Sequence, residues 1–139
     1  MFTNILLAFD GSPHAIRAAQ MAAEIARNHP GTLLVVVAYE RIPIFLGESE
    51  LEMVISAQIE EADEQMRKAL EIIGDVPSEI KKEILEGSAA EAVLKVAKNR
   101  NCDLIVMGSR GLGRLAGLLL GSQSQKVISH ATCPVLIVH

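Results

Sequence analysis

The sequence contains no tryptophan, one tyrosine and three phenylalanines, so few aromatic side chains could stack on nucleic-acid bases. Acidic residues outnumber basic residues by 17 to 13, which argues against a general binder of nucleic acids or acidic membranes. No apolar run reaches the ~18 residues that a membrane span requires, and residues 1–10 lack a basic targeting segment. We therefore expect a cytoplasmic protein with no nucleic-acid and no membrane partner.

Cysteine and histidine are too sparse to indicate a disulfide framework or a metal site. The two cysteines, Cys102 and Cys133, form no CxxC pair, and the four histidines show no HxxxH or HxH spacing. We predict that both cysteines are buried and behave as small apolar residues.

Acidic residues are also missing from the last quarter of the chain. None follows Asp103, whereas Arg110, Arg114 and Lys126 do. Buried strands would explain why charges of both signs are few there, and a site for an anionic ligand would explain why the remaining charges are positive. The distribution alone leaves both explanations open.

The hydrophobic content that is present predicts a folded core. Of the 139 residues, 50% are hydrophobic and 22% are charged, a composition far from that of disordered chains. The length matches one domain of ordinary size. We expect residues 1–139 to form one domain with a largely aliphatic core.

Apolar runs alternate with amphipathic segments in the order β-α-β-α-β-α-β-α-β. This order predicts an α/β fold: one open five-stranded parallel sheet with helices on both faces. Strand orders 2-1-3-4-5 and 3-2-1-4-5 both fit, but the charged third strand favours 3-2-1-4-5, in which it lies at an edge. The predicted strands are residues 5–9, 33–39, 79–86, 104–107 and 134–138.

Each predicted helix begins at a recognisable signal. A serine followed by proline predicts the first helix start, because serine is a favourable N-cap and proline suits the first helical position. Capping boxes, in which Ser precedes Glu or Gln by three residues, predict the other starts. The signals are Ser12 with Pro13, Ser49 with Glu52, Ser88 with Glu91, and Ser122 with Gln125.

The favoured strand order makes the first and fourth strands neighbours at the topological switch point, where ligands bind. Asp10, Gly11 and Ser12 follow the first strand and belong to this predicted nucleotide-binding crevice. The Asp10 carboxylate could accept hydrogen bonds from ribose hydroxyls or hold a hydrated metal ion. The alternative is a turn residue that binds nearby backbone amides.

Residues 108–121 follow the fourth strand and are rich in glycine. Glycines at 108, 111 and 121 would let the backbone approach a phosphate, and the next helix would add free amides. Arg110 and Arg114 add donors that suit phosphate oxygens. A flexible linker is the alternative. Neither a Walker A motif nor a dinucleotide fingerprint followed by an acidic residue is present.

These glycines also match a family pattern. Gly108, Gly111, Gly121 and Ser122 fit Gly-x2-Gly-x9-Gly-Ser/Thr completely. Together with residues 5–12, 103–111 and 133–138, they make the chain resemble the nucleotide-binding branch of the universal stress protein family over essentially its whole length.

The resemblance implies an adenine nucleotide alpha hydrolase-like sheet of order 3-2-1-4-5 that binds ATP. With ATP we expect Mg²⁺ or Mn²⁺, which Asp10 could hold through water. The resemblance places Asp10 at the ribose and the backbone of Val37 or Ala38 at the adenine. The residues that it places around the ribose and phosphates are Met107, Gly108, Arg110, Gly111, Gly121, Ser122, Gln123 and Ser124.

The last predicted strand ends in Val135–Val138, which is wholly apolar and lies at a sheet edge in the favoured order. An exposed apolar edge aggregates unless something pairs with it, so we predict a homodimer through this strand. The resemblance implies the same dimer.

Three functions are compatible with the sequence. The favoured one is an ATP-binding regulatory stress-response protein with an unidentified protein partner, and slow ATP hydrolysis stays open. The alternatives are a nucleotide-free dimer that acts through protein contacts and a nucleotidyl-transfer enzyme. No catalytic constellation is visible in the sequence.

Overall fold

The computed structural model describes residues 2–41, 47–111 and 119–139, and strands and helices alternate along these segments. The strands are β1 (Asn4–Ala8), β2 (Thr32–Tyr39), β3 (Glu79–Glu86), β4 (Leu104–Gly108) and β5 (Val135–Val138). The helices are α1 (Pro13–Asn28), α2 (Glu48–Ile73), α3 (Ala89–Asn99) and α4 (Ser122–His130).

All five strands are parallel and form one sheet in the order β3-β2-β1-β4-β5. The predicted order 3-2-1-4-5 is therefore confirmed. Ile5 lies opposite Leu33 of β2 and Leu104 of β4, so β1 occupies the centre of the sheet. β3 is an edge strand, as its charges predict, and its Lys81 and Lys82 are exposed.

Two helices cover each face of the sheet. Buried residues of α1 and α2 pack with Leu7 and Val35, and buried residues of α3 and α4 pack with Leu6 and Val36. Successive strand residues point to opposite faces, so each central strand contributes to both cores. The face of α1 that meets the sheet is made of alanines, which permit close approach: Ala15, Ala18, Ala19, Ala22, Ala23 and Ala26.

Two of the predicted helix caps form. The Ser12 hydroxyl accepts a hydrogen bond from Ala15 N at 3.1 Å, and the Ser88 hydroxyl accepts one from Glu91 N at 3.2 Å. Pro13 is the first residue of α1, as its fixed φ favours.

The other two predicted caps are wrong by one or two residues. α2 begins at Glu48 with Gly47 as its N-cap, so Ser49 lies inside the first turn. α4 begins at Ser122 itself, and its N-cap is Gly121. Neither α2 nor α4 has a side-chain cap among the described residues.

The two cysteines differ in exposure. Cys102 is buried, and burial raises the pKa of its thiol to about 11, whereas Cys133 is half-buried, which corrects the prediction of full burial. In the described segments, no three His, Cys, Asp or Glu side chains come together as a metal site. None of the described helices is both long and apolar enough to cross a membrane.

Candidate functional site

A cavity of about 580 Å³ opens at the carboxyl ends of β1 and β4 and extends past the end of β2. This is the crevice that the strand order predicts. Most of the predicted site residues line it: Asp10, Ser12, Ala38, Met107, Gly108, Arg110, Gly111, Gly121, Ser122, Gln123 and Ser124.

Gly11 and Val37 are not among the lining residues. Val37 packs into the core beneath α1 and α2, because neighbouring residues of a strand face opposite ways. Ala38 therefore lines the cavity in its place. Gly11 has φ +82°, a conformation that residues with a side chain rarely adopt, so the turn requires glycine there.

Asp10 takes the turn role that its sequence position leaves open, and one of its two carboxylate oxygens has no part in that turn. Its Oδ1 accepts a hydrogen bond from Ser12 N at 2.9 Å, which makes it a turn residue at the start of α1. Its Oδ2 faces the glycine segment, since a Cβ on Gly111 would lie 2.6 Å from it. Oδ1 therefore stabilises the turn, and Oδ2 lies on the side of the glycine segment that lines the cavity.

Gly108 is needed for packing. A Cβ at this position would lie 2.7 Å from His14 Cβ and 2.9 Å from the His14 carbonyl carbon of α1. Packing against α1 is therefore sufficient reason for a glycine at this position, and the approach of a phosphate to its backbone stays a prediction. At Gly121, by contrast, a Cβ would meet its nearest atom, Arg110 Cα, at an ordinary 3.4 Å.

Ser109 and Ser124 hold the two ends of the glycine segment together. Ser109 O accepts hydrogen bonds from Gly121 N and from the buried Ser124 hydroxyl, both at 2.7 Å. A hydroxyl has only one hydrogen to donate, so in this arrangement Ser124 donates to the backbone. The result is a closed loop whose ends meet where α4 begins.

The N-terminus of α4 differs from those of α1 and α3. Ser12 caps α1 and Ser88 caps α3, whereas the N-cap of α4 is a glycine with no side chain to offer. The first amides of α4 belong to Ser122 and Gln123, which both line the cavity. A helix N-terminus of this kind presents unpaired donors and a partial positive charge.

The side chain of Gln123 has a partner that sequence reasoning did not identify. Its Oε1 accepts a hydrogen bond from Ala90 N, in the first turn of α3, at 2.9 Å. The two residues are 33 positions apart, and no local pattern connects them. The side chain of a residue that the resemblance places near the ligand is thus hydrogen-bonded to a second helix.

The far end of the cavity contains two charged residues that the sequence analysis did not assign to the site. Arg41 Nη2 and Glu91 Oε2 lie 3.0 Å apart, and the pair joins the segment after β2 to the first turn of α3. Both side chains are more than half exposed, so the pair contributes little to stability. Because the contact depends on the tertiary fold, Arg41 had no sequence signal, and Glu91 had one only for helix capping.

The surroundings of Gly108 are cationic. Burial, followed by the charges of Arg17 and Arg110, lowers the pKa of His14, which lies against Gly108. At one end of the cavity lie the N-terminus of α4 and Arg110, with the Asp10 carboxylate beside them, and at the other end lie Arg41 and Glu91. A ligand with an anionic group at one end and a polar ring at the other would match this distribution.

Comparison with known proteins identifies the family. The Universal stress protein family matches residues 1–139, the whole chain. The chain belongs to the universal stress protein family. A universal stress protein of Thermus aquaticus is 49% identical over 138 residues, which cover 99% of each chain.

Solved universal stress proteins share the fold. The UspA protein of Lactobacillus plantarum superposes with a TM-score of 0.88 at 26% identity, covering 99% of this chain and 98% of that one. A universal stress protein solved in complex with cAMP superposes with a TM-score of 0.67 at 26% identity, covering 99% and 97%. That relative binds an adenine nucleotide.

Proposed function

We propose that the chain is a cytoplasmic ATP-binding regulatory protein of the stress response, in which nucleotide occupancy alters contacts between copies or with a protein partner. The observation that carries the proposal is the uncapped N-terminus of α4. It opens into the cavity beside Gly111, Gly121 and Arg110, within the part of the chain that has no acidic residue. The relative that binds cAMP supports an adenine nucleotide as the ligand class.

The available donors suffice for useful affinity. A hydrogen bond to a charged group contributes ~1.5–3 kcal/mol, and the amides of α4 with the Arg110 guanidinium could supply several. After the cost of ordering the ligand, roughly micromolar affinity, or about −8 kcal/mol, is within reach. Mg²⁺ or Mn²⁺ would neutralise part of the phosphate charge, and Asp10 would hold it through water.

Calorimetry and mass spectrometry test this proposal. We expect ATP to bind with a micromolar dissociation constant, and AMP to bind more weakly because it makes fewer contacts with α4. Mass spectrometry of small molecules released from the purified protein should find adenine nucleotide. A folded protein that releases none and takes up none with Mg²⁺ present would contradict the proposal and favour a nucleotide-free dimer.

The role of Asp10 can be separated into ribose and metal contacts. Asp10→Asn keeps an Oδ1 that can accept from Ser12 N, so the turn should persist. If the carboxylate binds the ribose, the variant should weaken AMP and ATP equally, by about tenfold. If it holds the hydrated metal ion, the loss should be confined to ATP with Mg²⁺, and if it does both, ATP with Mg²⁺ should lose more affinity than AMP.

We further propose a homodimer through β5. β5 is an edge strand, and Ile105 N donates to Pro134 O, so the amide of Val135 points away from β4. Val135→Pro removes this outward donor and leaves the ladder to β4 intact. We expect sedimentation velocity to show a monomer for Val135→Pro and a dimer for Val135→Thr, which keeps the amide. A dimeric proline variant would place the contact elsewhere.

A further inference from the structure

We infer that Gln123 is a positioning residue that couples an anionic ligand on α4 to the N-terminus of α3. The inference rests on the proposed nucleotide function, because it concerns the response of the protein to a phosphate in the cavity. It begins from one contact, the 2.9 Å hydrogen bond from Ala90 N to Gln123 Oε1. Gln123 lies in the first turn of α4 and lines the cavity.

The chemistry of the partner fixes the orientation of the side-chain amide. A backbone N–H can only donate, so the atom of Gln123 that faces Ala90 must be the oxygen. The Nε2 group then keeps two hydrogens, and among the described residues it has no protein acceptor. Because Gln123 lines the cavity and belongs to the first turn of α4, we infer that this donor is available to a ligand bound there.

Two backbone amides in the first turn of α3 already have hydrogen-bond acceptors. Ser88 accepts from Glu91 N within the same turn, and Gln123 accepts from Ala90 N across the cavity wall. An anion would therefore find free amides on α4 and none at these two positions of α3. The protein thus directs a phosphate to one of two adjacent helix N-termini.

Coupling arises because one side-chain amide binds two partners, Ala90 N through Oε1 and the phosphate through Nε2. A phosphate that accepts from Nε2 fixes the rotamer of Gln123, and it also polarises the amide so that Oε1 becomes a better acceptor for Ala90 N. Ligand binding at α4 should therefore tighten the first turn of α3. The hydrogen bond from Ala90 N to Gln123 Oε1 should therefore be stronger when a phosphate is bound than when the cavity is empty.

The Ala90 amide is a direct reporter of this coupling. As the second residue of α3 it has no intrahelical acceptor, so its protection from exchange depends on Gln123. The neighbouring Glu91 amide, bound by Ser88, provides an internal control. Amide exchange measured by NMR with and without Mg-ATP should show about threefold or greater slowing at Ala90 on binding and little change at Glu91.

Two substitutions separate the functions of the side chain. Gln123→Glu keeps the acceptor for Ala90 N but replaces the donor with a negative charge. We expect unchanged thermal stability and at least about tenfold weaker ATP binding. Gln123→Leu removes acceptor and donor together. It should lower the melting temperature, weaken ATP binding by several-fold, and abolish the ATP-dependent slowing at Ala90 while ATP still binds at saturating concentration.

The outcomes distinguish this inference from the proposed function. If the wild-type protein binds ATP but Ala90 exchange does not respond, or responds equally in Gln123→Leu, the coupling is wrong and nucleotide binding stands. If Gln123→Glu binds ATP as well as the wild type, Nε2 is not a ligand donor and the inference fails. If the wild type binds no adenine nucleotide at all, both fail.

Discussion

Gly121→Asp should abolish useful nucleotide binding while leaving the fold as stable as before. Gly121 has φ −72° and ψ 164°, a conformation that any residue can adopt, and a Cβ there makes only ordinary contacts. Aspartate is a favourable N-cap, so its carboxylate would bind the amides of α4 and replace the phosphate with a resident negative charge. We expect about 100-fold weaker ATP binding by calorimetry. The unfolding free energy should stay within about 1 kcal/mol of the wild-type value.

Two matched variants at the same position divide this effect into its parts. Gly121→Asn offers the same cap without the charge, so it should cost about tenfold through competition for the amides alone. Gly121→Ala adds a Cβ without a cap and should bind almost as the wild type does. Equal binding by Asp, Asn and Ala variants would show that the α4 amides do not contact the ligand.

Gly108→Ala is expected to have the largest effect on stability. The added Cβ would press against the backbone of α1 at His14, where neither the helix nor β4 can move without disturbing the core. Overpacking of this kind costs typically 1–3 kcal/mol and occasionally more, and we expect about 3 kcal/mol because backbone atoms are involved. Chemical denaturation followed by circular dichroism measures the change.

The control for Gly108→Ala is Gly121→Ala, which adds the same single carbon in a place with room for it. The two should differ strongly in stability. In contrast, the folded fraction of Gly108→Ala should retain much of its nucleotide affinity. A stable Gly108→Ala protein that has lost ATP binding would favour phosphate approach as the reason for this glycine.

The sheet could be predicted from the sequence because its signals are local and repeated. Apolar runs marked the central strands, and the charges of Glu79–Glu86 distinguished an edge strand from a buried one, which decided between two strand orders. The site location then followed from topology, since the carboxyl ends of the first and fourth strands meet at the switch point. The caps predicted at Ser12 and Ser88 were correct, because each helix begins at the residue that follows the serine.

The errors in the predicted helix starts arose where the surrounding structure, and not the capping pattern, determines the first helical residue. Ser49 and Ser122 carry the same capping pattern as Ser88, yet α2 and α4 begin at Glu48 and Ser122. The residue at which a chain enters a helix depends on the preceding loop, and a shift of one residue turns a cap into a helical residue.

The glycines and Gln123 show a second limit of local reasoning. Gly108 is required by α1, which lies far from it in the sequence, and Gln123 is bound to Ala90 of another helix. A sequence motif indicates that a position requires glycine, but it does not indicate which neighbouring element would clash with a side chain there.

The peptide units on either side of Ser109 have a consequence for communication within the molecule. Ser109 N donates to Val138 O of β5 at 2.8 Å, while Ser109 O accepts from Gly121 N. The edge strand β5 and the N-terminus of α4 are therefore hydrogen-bonded to the N–H and the C=O of the same residue. If a nucleotide binds at α4 and a second molecule pairs with β5, as proposed, a change in the backbone torsions of Ser109 would connect the two without a relay of side chains.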